Sequence, residues 1–555
     1  MTSKRPGATP FVGKHLVALV LGTLVASALG CSDRGSGAAT DFADPAQVEA
    51  RVRASLEDLA AFGAKRAGGE EVARAADYIA DRFRSAGLSD VHTEEFTFPA
   101  YDLASTTLTV RVDGAPRSPL AEAFAFSGVG RVAGPVVDVG HGFPDDYVDK
   151  DVAGKVVLVV RDALYHRSAQ YIQAIAHGAA AMLYVSQAPE NLIQIGTVAD
   201  PEDGAGPIPA ISVGKDDGEA LVAALGGGSR VEADIAVDAA VRSATGRNVV
   251  GRLAGSLPGA PYLLVGAHYD TWYAGSADNG TGVAAVLEIA EAFARRGGRQ
   301  LDLVFVAYDA EELGLFGGYD WLRRHVIVGG EPMLGWVNFE IPGASPLPGL
   351  RGLAYTSGAP LAPALEDSGT SALYNAYVGM ETVPALFGGL IPTDIQGMYW
   401  YGLQGFSTAS DSPYYHTVED TPDKIDMPFL ADAVLHFEAA LDRVDLVPPA
   451  ALAVHDPFVW RITPSTAAAP SGDLDVDALV TDAKGVPQAN ATVKLWLDVD
   501  DFTRVYRAQA ASDADGHARF LIPAAALAQG RGDRWVHVTA GVSYPLAETA
   551  LPIGG

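Results

Sequence analysis

Tyr262-Leu263-Leu264-Val265-Gly266-Ala267-His268-Tyr269-Asp270-Thr271 is the stretch that decides the fold of this chain. It opens as an unbroken apolar run, the pattern of a strand buried on both faces, and closes on a histidine and an aspartate. The same grammar repeats on either side. Residues 282–295 place apolar side chains at helical spacing, 301–308 form a second apolar strand, 316–325 read as a helix and 335–341 as a third strand. Such alternation predicts an α/β domain with a mostly parallel mixed sheet flanked by helices, and ligands at the carboxyl ends of the strands.

Those strand ends are where the chemistry concentrates. In an extended chain, residues two apart point to one side, so Asp270 can reach the His268 ring and fix its tautomer, as zinc-binding histidines require. Ala277-Asp278-Asn279-Gly280-Thr281-Gly282 then leads into the helix; taken alone, Asp278 reads equally as its N-cap. The second strand ends in Asp309-Ala310-Glu311-Glu312-Leu313-Gly314. Adjacent glutamates there either cap a first helical turn or divide labour, one binding a metal while the other takes a proton from water. A third polar segment, Ser410 to Ile425, contains Tyr415, His416 and Asp420. His325, His436, His455, His517 and His537 lack this company of carboxylates.

The order His-x-Asp, Asp-Asn-Gly-Thr-Gly, Ala-Glu-Glu-Leu-Gly, an acidic strand end and Tyr-His-Thr-x-x-Asp-Thr resembles the dinuclear zinc peptidases of metallopeptidase family 28. That family includes secreted bacterial aminopeptidases and glutamate carboxypeptidase. The resemblance implies a zinc exopeptidase fold and two zinc ions per chain. Carried over residue by residue, it gives His268 and Glu340 to one zinc, Glu312 and His416 to the other, and Asp278 as the bridge. It makes Glu311 the general base, Asp270 the residue that orients His268, and Tyr415 the match of a tyrosine that donates to the oxyanion in some members. One departure is visible: the family usually has Asp in an Asn-x-Asp phrase, where this chain has Asn338-Phe339-Glu340.

Peptides are the expected substrates. Between Glu340 and His416 the only basic residue is Arg351, whereas Glu366, Asp367, Glu381, Asp394 and Asp411 are available to hold an ammonium, which favours an aminopeptidase. Arg131, Arg161 and Arg167 keep a carboxypeptidase in play, and a glutaminyl cyclase-like transferase or a non-catalytic binding protein are weaker alternatives. Tyr399, Trp400 and Tyr401 either line an apolar substrate pocket or pack in the core.

The chain has 555 residues, enough for three or four domains at about 150 residues each. A formal charge of -29 argues against nucleic acid as a partner. Residues 1–31 read as a signal peptide ending in Cys31, the only cysteine, in a setting that resembles a bacterial lipobox. The expectation is an exported, envelope-anchored or secreted protein, touching a membrane only through a lipid on Cys31, with 32–45 as a flexible tether. Residues 46–117 and 241–447 are read as the two parts of the peptidase domain. Between them, 118–240 is a separate domain whose histidines, His141, His166 and His177, stand apart from other ligand types. Its phrases around 153–159, 178–184 and 208–213 resemble a protease-associated domain, which in enzymes that carry one lies over the active-site cleft. Residues 448–469 read as a linker. Short alternating runs from 470 to 555, separated by turns such as Asp513-Ala514-Asp515-Gly516, read as a β-sandwich, with Asp498, Asp500 and Asp501 as a solvated turn.

Overall fold

The computed structural model describes residues 44–162, 165–257, 259, 261–343, 353–357, 361–367, 376–379, 391–410, 412–452, 460–499, 503–530, 532, 534–541 and 545–553. The expectations for the leader, the tether and Cys31 lie outside the described residues. So do Arg351, Glu381, Asp411, His455, Asp500, Asp501 and the side chains of Glu366 and Asp367.

The apolar stretch that opens the analysis is the strand Tyr262–His268, buried at every position. It runs parallel to Asp302–Tyr308 on one side and to Met333–Asn338 on the other, with Tyr308 opposite His268 and Asn338 opposite Gly266. Gly405–Ala409 extends the parallel set, and Leu353–Ser357 joins it antiparallel. The sheet is thus mixed and mostly parallel, and its registers bring three polar strand ends to one edge. Helices cover it. Glu70–Ala86 buries Val72, Ile79 and Phe83, and Phe83 meets Phe305 of the sheet at 6.2 Å between ring centroids. Each such side chain contributes about 1.5–3 kcal/mol when taken from water. Gly87 ends this helix at φ 94°, a left-handed geometry that favours glycine. Thr281–Arg296 and Met427–Val444 add to the helical layer over the parallel strands.

The inserted domain enters and leaves on a two-stranded ribbon. Ser89–Val112 pairs antiparallel with Val231–Leu253 along nearly its whole length. The second strand then also pairs with Asp302–Tyr308 at one end and with Gly130–Asp138 at the other, so one continuous sheet links the mostly parallel domain and the insertion. A boundary at 240 therefore falls inside a strand, because the ribbon's alternation continues through it. The insertion itself has a parallel core of Val156–Val160, Ala181–Val185 and Ala210–Val213.

The C-terminal region forms two antiparallel sheets, one of Trp460–Ala468, Leu474–Asp482 and His517–Ile522, the other of Thr492–Val499, Thr503–Ala511, Arg534–Gly541 and Pro545–Ile553. Their inner faces share a core of Val476, Val480, Leu495, Leu497, Phe520 and Val536, among others. The expected linker 448–469 is corrected here: Trp460–Ala468 is the first sandwich strand, paired with Leu474–Asp482. Its polar, mostly exposed sequence hides it, since it lies at an edge with one partner. Tyr399 and Trp400 are buried in a core cluster with Trp336, Trp321 and Leu546, so core packing is their role, and Tyr401 packs against the same cluster.

Candidate metal centre

The parallel registers deliver His268, the Glu311-Glu312 pair and Glu340 to the same sheet edge. Asp278 arrives on the turn that precedes the helix Thr281–Arg296, and His416 on a loop from the far side. Ala310, Ile341 and His416 all have positive φ, of 60°, 44° and 58°. Three non-glycine residues in that region within one site mark a backbone held by its surroundings.

Each ligand candidate is fixed from behind. Asn279 donates to the Phe339 carbonyl at 2.7 Å and accepts from the N–H groups of Gly282 and Ile341, at 3.1 and 3.0 Å. One side chain thus ties the Asp278 turn to the Glu340 strand end. Gly282 makes that approach possible, because a Cβ there would sit 2.3 Å from the Phe339 carbonyl oxygen. Asp420 accepts from the N–H groups of Ala277 and Asp278 at 2.7 and 3.1 Å, and burial pushes its carboxyl up to about 7. Thr408 exchanges hydrogen bonds with the backbone of Glu340.

At the centre, Asp278 lies between the two imidazoles. Its Oδ1 is 3.1 Å from His268 Nε2 and its Oδ2 is 2.9 Å from His416 Nε2. Glu340 Oε1 stands 3.3 Å from His268 Nε2, Glu312 Oε2 stands 3.0 Å from His416 Nε2, and Glu311 Oε2 is 4.0 Å from His268 Nε2. Two groups with metal-ligand spacing result: His268, Glu311 and Glu340, and Asp278, Glu312 and His416.

The tautomers decide what these contacts can be. His416 Nδ1 lies 2.8 Å from the carbonyl of Ile195, and His268 Nδ1 lies 3.1 Å from the carbonyl of Asp270. A carbonyl only accepts, so each Nδ1 carries its hydrogen and each Nε2 turns toward the carboxylates. With Nε2 bare, imidazole and carboxylate would set lone pair against lone pair, so each gap takes either a proton or a metal cation. Ligands about 2.0–2.1 Å from a tetrahedral zinc are about 3.3 Å apart, close to the separations found here. Asp278 Oδ1, Glu312 Oε1 and Glu340 Oε2 are buried without a hydrogen-bond partner, and so is His416 Nε2. The residues present fit two divalent ions.

Without a cation, the site's charges draw protons into those gaps instead. Burial pushes the Glu311 carboxyl well above its usual range, and Glu340, Glu312 and Asp394 add to it, although His268 pulls the other way. Glu312 and Glu340 are raised by burial as well. Burial works against the charged imidazoles, yet the surrounding carboxylates hold His268 well above its ordinary value and His416 at about 9. Asp278, between both rings, is held below the ordinary carboxylate range despite its burial.

All eight sequence-derived site residues converge, with two differences in detail. The Asp270 carboxylate is 3.6 Å from His268 Nδ1, farther than its own carbonyl. It accepts instead from the N–H groups of Glu311 and Glu312, at 3.0 and 3.2 Å, and so aims the glutamate pair. Tyr415 stacks on the His416 ring at 3.7 Å, with its hydroxyl 3.4 Å from Arg167 of the insertion.

Sequence reasoning missed several residues. Trp272 donates to Glu312 Oε2 at 2.6 Å; it directly follows the His-Tyr-Asp-Thr phrase, which was the available signal. Asp394 was weighed only as one of five spare acids, yet it is buried, both its oxygens lack a hydrogen-bond partner among the described residues, and the site's charges act on it. The insertion, expected to carry no chemistry, supplies Ile195 to His416, Gln194 to the Tyr415 carbonyl at 3.1 Å and Thr197 to the Glu312 carbonyl at 2.7 Å.

A sheet edge of this topology carrying paired carboxylate–histidine groups defines a zinc exopeptidase fold. Residues 248–438 match the model of peptidase family M28 and residues 132–221 that of the PA domain, matches that support a hydrolase. The chain is 29% identical over 280 residues to a probable lipoprotein aminopeptidase, LpqL, of Mycobacterium tuberculosis, covering 49% of this chain and 53% of the relative. It is 25% identical over 332 residues to a probable glutamate carboxypeptidase of Arabidopsis thaliana, covering 47% of each. The chain thus spans about half the length of the curated relatives it matches. Among solved structures, a peptidase M28 precursor from Shewanella amazonensis superposes with a TM-score of 0.59 at 21% identity, over 72% of this chain and 96% of that one. A zinc aminopeptidase from Bacillus subtilis gives 0.54 at 22%, over 71% and 94%. These likenesses are of fold, and family and fold together imply zinc.

Proposed function

We propose that the chain is a two-zinc exopeptidase that releases residues from free amino termini of peptides. The observation that carries this reading is Asp278, whose two oxygens lie 3.1 and 2.9 Å from the metal-facing nitrogens of two imidazoles, with Glu340 and Glu312 completing the two halves. His268 and Glu340 would hold one ion, Glu312 and His416 the other, and Asp278 would bridge them. When bound, the pair of zinc ions supplies Lewis acidity, lowering the pKa of water toward about 7 and polarising the scissile carbonyl.

The chain's own residues do the rest. Glu311, raised by burial and aimed by the Asp270 carboxylate, takes the proton of the attacking water and passes it to the leaving amine. Asp394, which interacts with His268 and whose two buried oxygens lack a hydrogen-bond partner among the described residues, offers a carboxyl that suits the ammonium of a peptide's first residue. A second reading has a specific support: Arg167 of the insertion stands beside Tyr415 and senses Glu312, where it would hold a terminal carboxylate, the carboxypeptidase arrangement. For location, we propose export and a lipid anchor on Cys31. No helix among the described residues is long and apolar enough to cross a membrane.

The test is zinc content together with hydrolysis of aminoacyl-anilides, amino-blocked peptides and glutaminyl peptides. About two zincs per chain and turnover only of free amino termini support the proposal. Cleavage of blocked peptides moves the assignment to a carboxypeptidase, and release of cyclised product from glutaminyl peptides to a cyclase. A chain that binds no zinc and turns over none of them ends the enzyme reading.

A further inference from the structure

The insertion loop that holds His416 continues past the metal centre to a second partner. Three residues beyond Thr197, Asp200 accepts from the Glu202 N–H at 3.0 Å and starts the short turn Pro201–Asp203. Pro201 lies against Gly314, two residues past Glu312; a Cβ there would stand 3.0 Å from the proline ring. The other side of this turn faces the C-terminal sandwich. Along Thr492–Val499, Val493, Leu495, Leu497 and Val499 fill the sandwich core, so by alternation Lys494, Trp496 and Asp498 face the opposite way. Lys494 pairs with Asp200 and lies 3.6 Å from Asp203, Arg504 pairs with Glu202, and Arg507 pairs with Asp203.

The cationic side is rigid. The Arg504 guanidinium lies 4.9 Å from the centroid of the Trp496 ring, and Trp496 stacks on His537 at 5.0 Å. Below it, Arg323 of the peptidase domain pairs with buried Asp498 at 3.1 Å, which ties the same sheet to the catalytic domain. Three cations on a sheet anchored to the peptidase thus meet three carboxylates of the loop that orients a metal ligand. Isolated surface ion pairs add little to stability, but a network on one short turn fixes where that turn sits.

We propose that the sandwich is a clamp on the metal centre, with Lys494, Arg504 and Arg507 as positioning residues that act through Asp200–Asp203 on Ile195 and Thr197, and so on His416 and Glu312. The inference rests on the two-zinc reading, and its test does not depend on turnover. Partners behind a metal ligand typically change metal affinity by about 10–100-fold, so Lys494→Glu with Arg507→Glu is expected to weaken the second zinc about tenfold in a competitive chelator titration. Hydrogen exchange of the amides 194–198 in the metal-free protein should quicken. Adding Asp200→Lys and Asp203→Lys restores the opposite charges and should return both readouts. If the reversed protein fails to fold, Lys494→Met with Arg507→Met is read in the same way. Unchanged zinc affinity and exchange, or a loss that the restored charges do not repair, overturns the clamp. A protein that hydrolyses no peptide yet shows the linked zinc and exchange changes keeps the clamp and loses only the peptidase reading.

Discussion

The two halves of the metal centre are built differently. His268 and Glu340 stand on neighbouring strands of one sheet, and their supports, Asp270, Asn279 and Thr408, belong to the same domain. Glu312 is held by Asp270 and Trp272 of its own domain, but the second half is completed from outside: the His416 imidazole is oriented by Ile195 and the Glu312 carbonyl by Thr197, both on the insertion. The first half is preorganised by the sheet, the second by a domain contact. A contact between domains opens more readily than a sheet, so the second half is the one expected to loosen first.

The harshest way to probe the comparison is the residue that serves both halves. Glu311→Ala is expected to lower kcat by about 10²–10⁴-fold while leaving two zincs bound. A variant that loses a zinc would show Glu311 to be a ligand, in line with its 4.0 Å approach to His268.

Protons come next. In the metal-free protein the neighbouring carboxylates hold His416 at about 9, above its ordinary 6.5. Zinc must displace that proton, so affinity should fall about tenfold for each pH unit below 9, read by chelator competition between pH 6 and 8. The same raised value means that protonation stabilises the metal-free fold fully below pH 6.5 and that this contribution is lost as pH rises through about 9. The Tm of chelator-treated protein should therefore fall across that window and that of zinc-loaded protein should not. A flat profile in both would remove His416 as the group responsible.

Glu340→Asp sharpens the comparison from the sheet side. Shortening the side chain by about 1.5 Å draws the carboxylate away from His268 Nε2, and the first-half zinc should weaken about tenfold. Equal affinity would mean that the backbone at Ile341 advances to compensate. The gentlest probe is Thr197→Val, which removes the hydrogen bond to the Glu312 carbonyl, worth about 1 kcal/mol. It should loosen only the second-half zinc, by about fivefold; loss at the first half instead would contradict the division.

Legibility in the sequence divides along the same line. Strand Tyr262–His268 and its neighbours announce themselves by apolar runs, and His268, Glu312 and Glu340 by residue types at polar strand ends, whereas Asp278 on its turn and His416 in its loop were legible only through the order of motifs that resembles family 28. Ile195 could not be found that way, because a backbone carbonyl has no signature and its partner lies 221 residues away. Asp270 was legible only in part: the period of an extended chain places its carboxylate 3.6 Å from the ring, but nothing in that spacing shows that it also accepts from the N–H groups of Glu311 and Glu312. The strand Trp460–Ala468 escaped because edge strands carry little apolar alternation.

The ribbon that carries the insertion also orders events in time. Ser89 pairs beside Arg252, 163 residues later, so the catalytic sheet can close only after the whole insertion has been synthesised. Closing so long a loop as open chain is entropically slow, whereas an insertion that folds first brings Val112 and Val231 together and lets the ribbon zip outward from them. The nascent chain should therefore own a folded insertion well before it owns a metal site. Zinc then meets a finished pocket, and any lesion that delays the insertion leaves the apolar strand Tyr262–His268 uncovered and prone to aggregation.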